Sequence, residues 1–284
     1  MFTLKIQNAN GEIFELTHDT ANYAVVGVQG LTPPTTNVNT SAGGAVDGTF
    51  YNSSRVQQRN IVIDIILQGD IEGNRQRLYK IFSIKKPCTI YFQNKNRNVQ
   101  IVGYVEVLDG DLFVQREQMQ ISIICPRPFF EDLETIYTEL SNVVRMFEFP
   151  FSIEENDPIP FSDIMDTPLC TINNGGDVEC GCILQISISA AVTGLTIYNV
   201  TTQQFFGFNY SFQESDEITI NTISGQMGVS LNRDGQTTNL LNYMTSNSSW
   251  FKLAVGDNDF TFTATNGAQN VNIMFATAVL YGGV

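Results

Sequence analysis

His18 is the chain's single histidine, so a Ser-His-Asp or Cys-His relay has one possible base. It stands beside Asp19 just after an early alternating segment, where a surface turn is expected, and no activated nucleophile accompanies it. Paired carboxylates offer glycosidase chemistry at Glu154-Glu155, Asp216-Glu217 and Asp257/Asp259. Adjacent acids on a strand point to opposite faces, and two working carboxyls need a separation of about 5–9.5 Å across a cleft. Asp257 and Asp259 could share a face, but Gly256-Asp257-Asn258 spells a turn. No third acid follows at calcium-loop spacing. Cys88, Cys125, Cys170, Cys180 and Cys182 are odd in number and irregularly spaced, and Cys180-Gly181-Cys182 is too short for the usual zinc ligand pair. Free thiols in a reducing compartment are expected. Catalytic residues, metal and cofactor are therefore assigned as none.

Binding chemistry has two openings. Trp250 is the only tryptophan, and Tyr198 lies in a segment with Phe205, Phe206, Phe208 and Tyr210. Aromatic rings of this kind stack on sugars, although Trp250 starts a strand and burial at a sheet edge is the expectation. Arg75, Arg77, Lys80, Lys85 and Lys86 form the one basic cluster, without the interleaved aromatics of a single-strand binder. They read as a solvated or ion-paired helix face.

Charge excludes more. Residues 1–150 hold 13 Lys/Arg against 16 Asp/Glu, a balance of -3, and residues 151–284 hold 2 against 13, a balance of -11. The second half offers no basic groove to nucleic acid and would be repelled by anionic lipid. The start Met1-Phe2-Thr3-Leu4-Lys5 alternates like a strand rather than a signal peptide, and no apolar run reaches the ~18 residues of a membrane helix.

The elements that must position these residues are mostly short strands. The length of 284 residues suits two domains of ~100–200 residues each. Thr3–Asn8 and Glu12–Leu16 flank Asn10-Gly11, a hairpin signal. Residues 32–54 are rich in Pro, Gly, Ser, Thr and Asn and form a long polar loop, of the kind that carries function. Ile61–Leu67 is nearly continuous apolar and should be buried. Asp70 caps a helix with Ile71, Leu78, Ile81 and Phe82 on one face, and Pro87 stops it. Leu133, Ile136, Tyr137, Leu140, Val144 and Phe147 follow helical spacing, so the expectation over 131–150 is a linker helix. From Cys170 onward, short strands and turns such as Arg233-Asp234-Gly235 predict an antiparallel sandwich.

Several motifs recur in a fixed order. They are Asp216-Glu217-Ile218-Thr219-Ile220-Asn221-Thr222, Ser249-Trp250-Phe251-Lys252-Leu253, Gly256-Asp257-Asn258-Asp259-Phe260 and the closing Leu280-Tyr281-Gly282-Gly283-Val284. Their order resembles the C-terminal domain of distal tail proteins of long-tailed bacteriophages and prophages. In the first half, Gly30-Leu31-Thr32-Pro33-Pro34, Asp47-Gly48-Thr49-Phe50, Arg59–Ile65, Thr89–Phe92 and Gln120–Pro126 resemble the N-terminal, tail-tube-like domain of the same family.

The resemblance implies a mainly β chain. Residues 1–130 would be a tail-tube-like β-barrel or sandwich with one helix, residues 131–150 a linker helix, and residues 151–284 a galectin-like antiparallel β-sandwich. It implies a structural protein and no enzyme. Six subunits would form a ring joining the tail tube to the tail tip or baseplate and anchoring adsorption proteins. Its partners would be copies of itself, the tube protein and tail-tip or receptor-binding proteins, with no sequence-specific nucleic acid and no membrane. It would be assembled in the host cytoplasm and sit at the virion tail tip. The family's inter-subunit arm maps onto Pro33, Pro34, Asp47, Gly48, Phe50 and Arg59. The alternative is a glycan-binding adhesin whose sandwich uses Trp250 and Tyr198.

Overall fold

The computed structural model describes all residues except Met1, His18, Ala45, Val46, Phe113, Gln115, Asn142, 146–161 and 165–167. His18 and the pair Glu154-Glu155 therefore lie outside the described residues. Two units emerge, Met1–Leu133 with Leu280–Val284, and Glu134–Val279.

The first unit contains β1 (Thr3–Gln7), β2 (Ile13–Glu15), β3 (Tyr23–Gln29), β4 (Thr36–Ala42), β5 (Thr49–Val56), β6 (Arg59–Leu67), α1 (Ile71–Ile81), β7 (Pro87–Gln93), β8 (Asn98–Gly110), β9 (Gln118–Cys125) and the start of β10 (Phe130–Ser141). Antiparallel pairing runs β2-β1-β7-β8-β9-β6-β3. β8 pairs β7 with its first half and β9 with its second, shifting register between Val105 and Val107. Such a shift lets one long strand bend around a core. That core is β-branched and aromatic: Ile61, Ile63, Ile65, Ile90, Phe92, Ile121, Ile123 and Phe130 are buried. The apolar run of β6 resolves into alternation, with Asn60 exposed and Val62, Asp64 and Ile66 half-buried. α1 forms as its signals require. Asp70 accepts from the Gly73 amide at 3.2 Å, Glu72 stands in the first turn, Lys80 in the last, and Leu78 and Ile81 face the core. The Asn10-Gly11 turn is wider than a two-residue hairpin. Asn8 Oδ1 accepts from the amides of Asn10 and Glu12.

The expected helix over 131–150 is overturned where the chain is described, and its portion at 142 and 146–150 lies outside the described residues. Phe130–Ser141 is a strand, with Glu131 and Asp132 opposite Gln100 and Val99. The apolar spacing of 3 and 4 does not mark a buried stripe, since Leu133, Ile136 and Tyr137 are exposed. Thr135-Ile136-Tyr137-Thr138 is a β-forming run, and ladder pairing at its start extends it as strand.

The second unit adds β11 (Val143–Arg145), β12 (Ser162–Ile164), β13 (Cys170–Asn174), β14 (Ile183–Ile188), β15 (Val192–Thr193), β16 (Thr196–Asn199), β17 (Gln204–Gly207), β18 (Ser211–Phe212), β19 (Glu217–Asn221), β20 (Gly228–Arg233), β21 (Gln236–Asn239), β22 (Gly256–Thr263) and β23 (Val271–Tyr281). One sheet has the order β13-β22-β16-β17, and a second contains β23-β14-β19-β20-β21. Phe260 of the first meets Phe275 of the second at 4.7 Å between ring centroids, so the sheets face each other as a sandwich. The β20–β21 turn is the expected Asp234-Gly235, both residues at positive φ.

Candidate assembly site

Gly30 ends β3 at φ +83, and a Cβ there would stand 2.0 Å from the Asn60 carbonyl oxygen. Only glycine fits this turn. It sends the chain off the β3–β6 pair through Leu31–Thr35 into a hairpin of its own. β4 and β5 pair only with each other, and the Gln57 amide donates to the Thr35 carbonyl at their root. The long polar segment is thus an ordered hairpin rather than a loop.

Register gives this hairpin two unlike faces. Thr36, Val38, Thr40 and Ala42 share a face with Val56, Ser54, Tyr51 and Thr49. Asn37, Asn39 and Ser41 share the other with Arg55, Ser53 and Phe50. A register shift at Asn39/Thr40 leaves Asn52 extra, where Ser41 Oγ donates to its Oδ1. Tyr51 Oη and Ser54 Oγ bond along the first face at 2.8 Å. Every residue of β4 and all of β5 except Val56 is exposed, Tyr51 to 64 % and Phe50 to 59 %. The Phe50 ring lies over Gly43, where a Cβ would stand 2.7 Å from Cε2. Two strands without a core beneath them are marginal in water, and the apolar residues of this pair are left exposed.

The expected arm residues divide. Asp47, Gly48 and Phe50 sit at or near the hairpin tip, Gly48 at φ +96, and Pro33 and Pro34 lie in its root. Arg59 belongs to neither and starts β6. It is 3 % exposed and meets its own subunit. Nε donates to the Pro128 carbonyl at 2.6 Å, Nη1 to those of Gly30 and Thr32 (the latter at 2.7 Å), and Nη2 to that of Gly282 at 2.6 Å. The guanidinium carbon stands 4.4 Å from the Phe130 ring centre. Burial pushes the Arg59 pKa down from its ordinary value, against a small opposing effect of Cys125. Gly282 reaches this cage because residues 280–284 belong to the first unit. The sequence expectation had assigned them to the sandwich, and nothing in Gly282-Gly283 alone points elsewhere.

The remaining candidates are tied down. Arg75 bonds Glu72 and Glu117, and Arg77 faces Asp19 and the Phe14 ring, so the basic cluster is partly ion-paired. Asp257 and Asp259 do share the outer face of β22, on a strand rather than in a turn, and accept from Asn173 and Thr171. Asp216 is buried against Arg233. Among the described residues no group of three His, Cys, Asp or Glu side chains could hold a metal ion. The five cysteines are free, and burial raises Cys88, Cys170 and Cys180 to about 11 and Cys125 and Cys182 to about 12. Trp250 is half-buried, with its ring 5.1 Å from Phe206. Tyr198 is exposed beside Phe205 at 6.1 Å. Consecutive strand residues Phe205 and Phe206 point to opposite faces, so Trp250 and Tyr198 do not form one platform.

Two family matches divide the chain as its units do. The phage tail protein RIFT-related domain matches residues 12–125, and the siphovirus-type tail component, C-terminal domain, matches residues 175–278. The chain belongs to the distal tail protein family of siphovirus-type phages. Its role is structural, in the distal tail. The fold is similar to the crystal structure of Dit from phage SPP1, described as a paradigm of the hub adsorption apparatus in phages infecting Gram-positive hosts, at TM-score 0.70 and 14% identity, covering 97% of this chain and 98% of that one. It is also similar to a chain of the phage p2 baseplate in its activated conformation with Sr, at TM-score 0.55 and 12% identity, covering 98% of each. The same baseplate with Ca gives TM-score 0.52 and 12% identity over 97% of this chain and 98% of that one. No curated protein matches the sequence.

Proposed function

We propose that this distal tail protein closes into a ring of six subunits that ends the tail tube. The first unit makes the ring, and the β4–β5 hairpin reaches the neighbouring subunit. The second unit, galectin-like in kind, projects to carry adsorption or receptor-binding proteins at the tail tip. Subunits would assemble in the host cytoplasm, where buried thiols stay reduced. The lumen would pass DNA without reading it, and the chain performs no catalysis. One observation carries this: an ordered hairpin with an exposed Val38/Tyr51 face and, among the described residues, no sheet of its own subunit to cover it.

A subunit-to-subunit arm generates a closed ring when each copy donates to the next. Electron microscopy of purified protein should show rings with a central hole. The pair Val38→Asp and Tyr51→Asp should abolish them with the melting temperature unchanged, because both side chains are exposed. Rings from the doubly substituted protein would overturn the arm's role.

A further inference from the structure

The arm's root is held by the far end of the chain. The Val284 amide donates to the Leu31 carbonyl at 3.1 Å. Gly283 packs so closely on the root that a Cβ would stand 3.0 Å from the Leu31 oxygen and 3.3 Å from Pro33 Cδ. Arg59 joins the two segments, donating to Gly30 and Thr32 of the root and to Gly282 of the closing residues. The closing residues are themselves anchored. Arg97 Nη1 donates to the Gly283 carbonyl, its guanidinium lies 4.3 Å from the Tyr281 ring centre, and Tyr281 Oη donates to Asp132 at 3.0 Å.

We propose that residues 281–284, with Arg59 and Arg97, are a clasp that sets the direction of the arm and thereby its fit to the next subunit. This rests on the ring proposed above. The physical reason is leverage. A seven-residue strand spans roughly 23 Å at ~3.3 Å per residue, so a turn of ~10° at the root moves the tip by ~4 Å. Packed interfaces do not absorb shifts of that size. Leu31–Thr35 has two prolines and no ladder of its own, so beside the clasp its angle rests on the Gln57–Thr35 bond and on Leu31 packed against the first-unit core. Arg59 suits the task because its planar fork reaches several carbonyls at once, which a lysine ammonium cannot do from one position.

The test uses the full chain with Gly283→Val, which forces Val284 and the root apart, and separately with Val284→Pro, which deletes the amide that bonds Leu31 and puts a proline ring in place of the core-packed Val284 side chain. Two measurements are made on each. Hydrogen exchange on isolated subunits should rise at least tenfold in peptides covering 30–36, while the melting temperature moves by only a few degrees. Ring yield by electron microscopy should fall at least tenfold. Folded variants with parental exchange at the root would overturn the clasp. If Gly283→Val fails to fold, Val284→Pro decides alone. A parent chain that makes no rings removes the six-subunit assembly instead, and the exchange measurement still decides the clasp.

Discussion

Arg59 in the first unit and Arg233 in the second both tie together segments distant in sequence, and they do so with different partners. Arg59 is buried and donates only to neutral carbonyls, those of Gly30 just after β3, Thr32 in the hairpin root, Pro128 two residues before β10 and Gly282. Arg233, with 31% of its side chain exposed, forks onto Asp216, with both bonds at 2.6 Å. Asp216 Oδ2 also accepts from the Gln213 amide at 2.8 Å, so the pair holds the turn before β19 against the end of β20. The carbonyl cage contains no group that titrates near neutral or acid pH. The ion pair contains one. The Arg59 cage thus holds the hairpin root through partners that acid leaves alone, while the sandwich turn is held by a contact that acid can break.

Removing Arg59 should have the largest effect. Arg59→Met keeps the stem but removes the fork's bonds to four carbonyls, each lost bond costing about 1–3 kcal/mol when buried. These terms overlap, so we expect a loss of about 4 kcal/mol confined to the first unit. Differential calorimetry that shows two transitions should report a lower first-unit transition and an unmoved second. An unmoved first transition would mean that water replaces the fork and the cage is ornamental.

Asp216→Asn should come next, at about 2–3 kcal/mol. It removes the charge from a well-formed, partly buried fork, but Arg233 can turn to solvent. The same calorimetry should now show only the second transition falling. Equal losses for Arg59→Met and Asp216→Asn in one shared transition would show that the units unfold together.

Trp250→Ala sharpens the account of the sandwich. A fully buried Trp costs about 3–5 kcal/mol on truncation, and a half-buried one about 2 kcal/mol. The mutant should melt lower, and a glycan array with the parent should give no hit, since Trp250 and Tyr198 lie on different faces. Sugar binding that survives Trp250→Ala but not Tyr198→Ala would move the ligand surface to the outer face of β16.

Several of these features were legible in the sequence and several were not. The strand-turn pattern of both units, the Asp70 cap and the Asp234-Gly235 turn are local signals, written in neighbouring residues. The arm was legible as a segment but not as a hairpin, because its strands carry Thr, Ser and Asn in place of an apolar face. The strand at Phe130–Ser141 was hidden by a chance match to helical spacing, which pairing with β8 overrides. The Arg59 cage is a long-range object. Its carbonyls lie at residues 30, 32, 128 and 282, and backbone acceptors have no sequence signature. The motif at Arg59–Ile65 therefore singles out Arg59 without revealing these partners.

The smallest expected effect is a response to acid. Burial alone would raise the Asp216 carboxyl, but bonds from Arg233 and from the Gln213 amide outweigh it, and the folded pKa lies below its ordinary value of 3.8. A depressed carboxylate pKa contributes stability that is complete above the unfolded value and is lost as pH falls through the folded one. The loss therefore belongs below about pH 4, and the contribution is complete and unchanging between pH 5 and 8. Arg59 has no counterpart, because its carbonyl partners hold no proton to exchange. Melting the parent and Asp216→Asn from pH 6 to pH 2 should show the gap between their second transitions narrowing only at the acid end. The gap between the parent and Arg59→Met in the first transition should stay constant over the same range. A gap for Asp216→Asn that is equally flat would mean that its cost is lost geometry rather than lost charge, and the electrostatic contrast between the two arginines would fall.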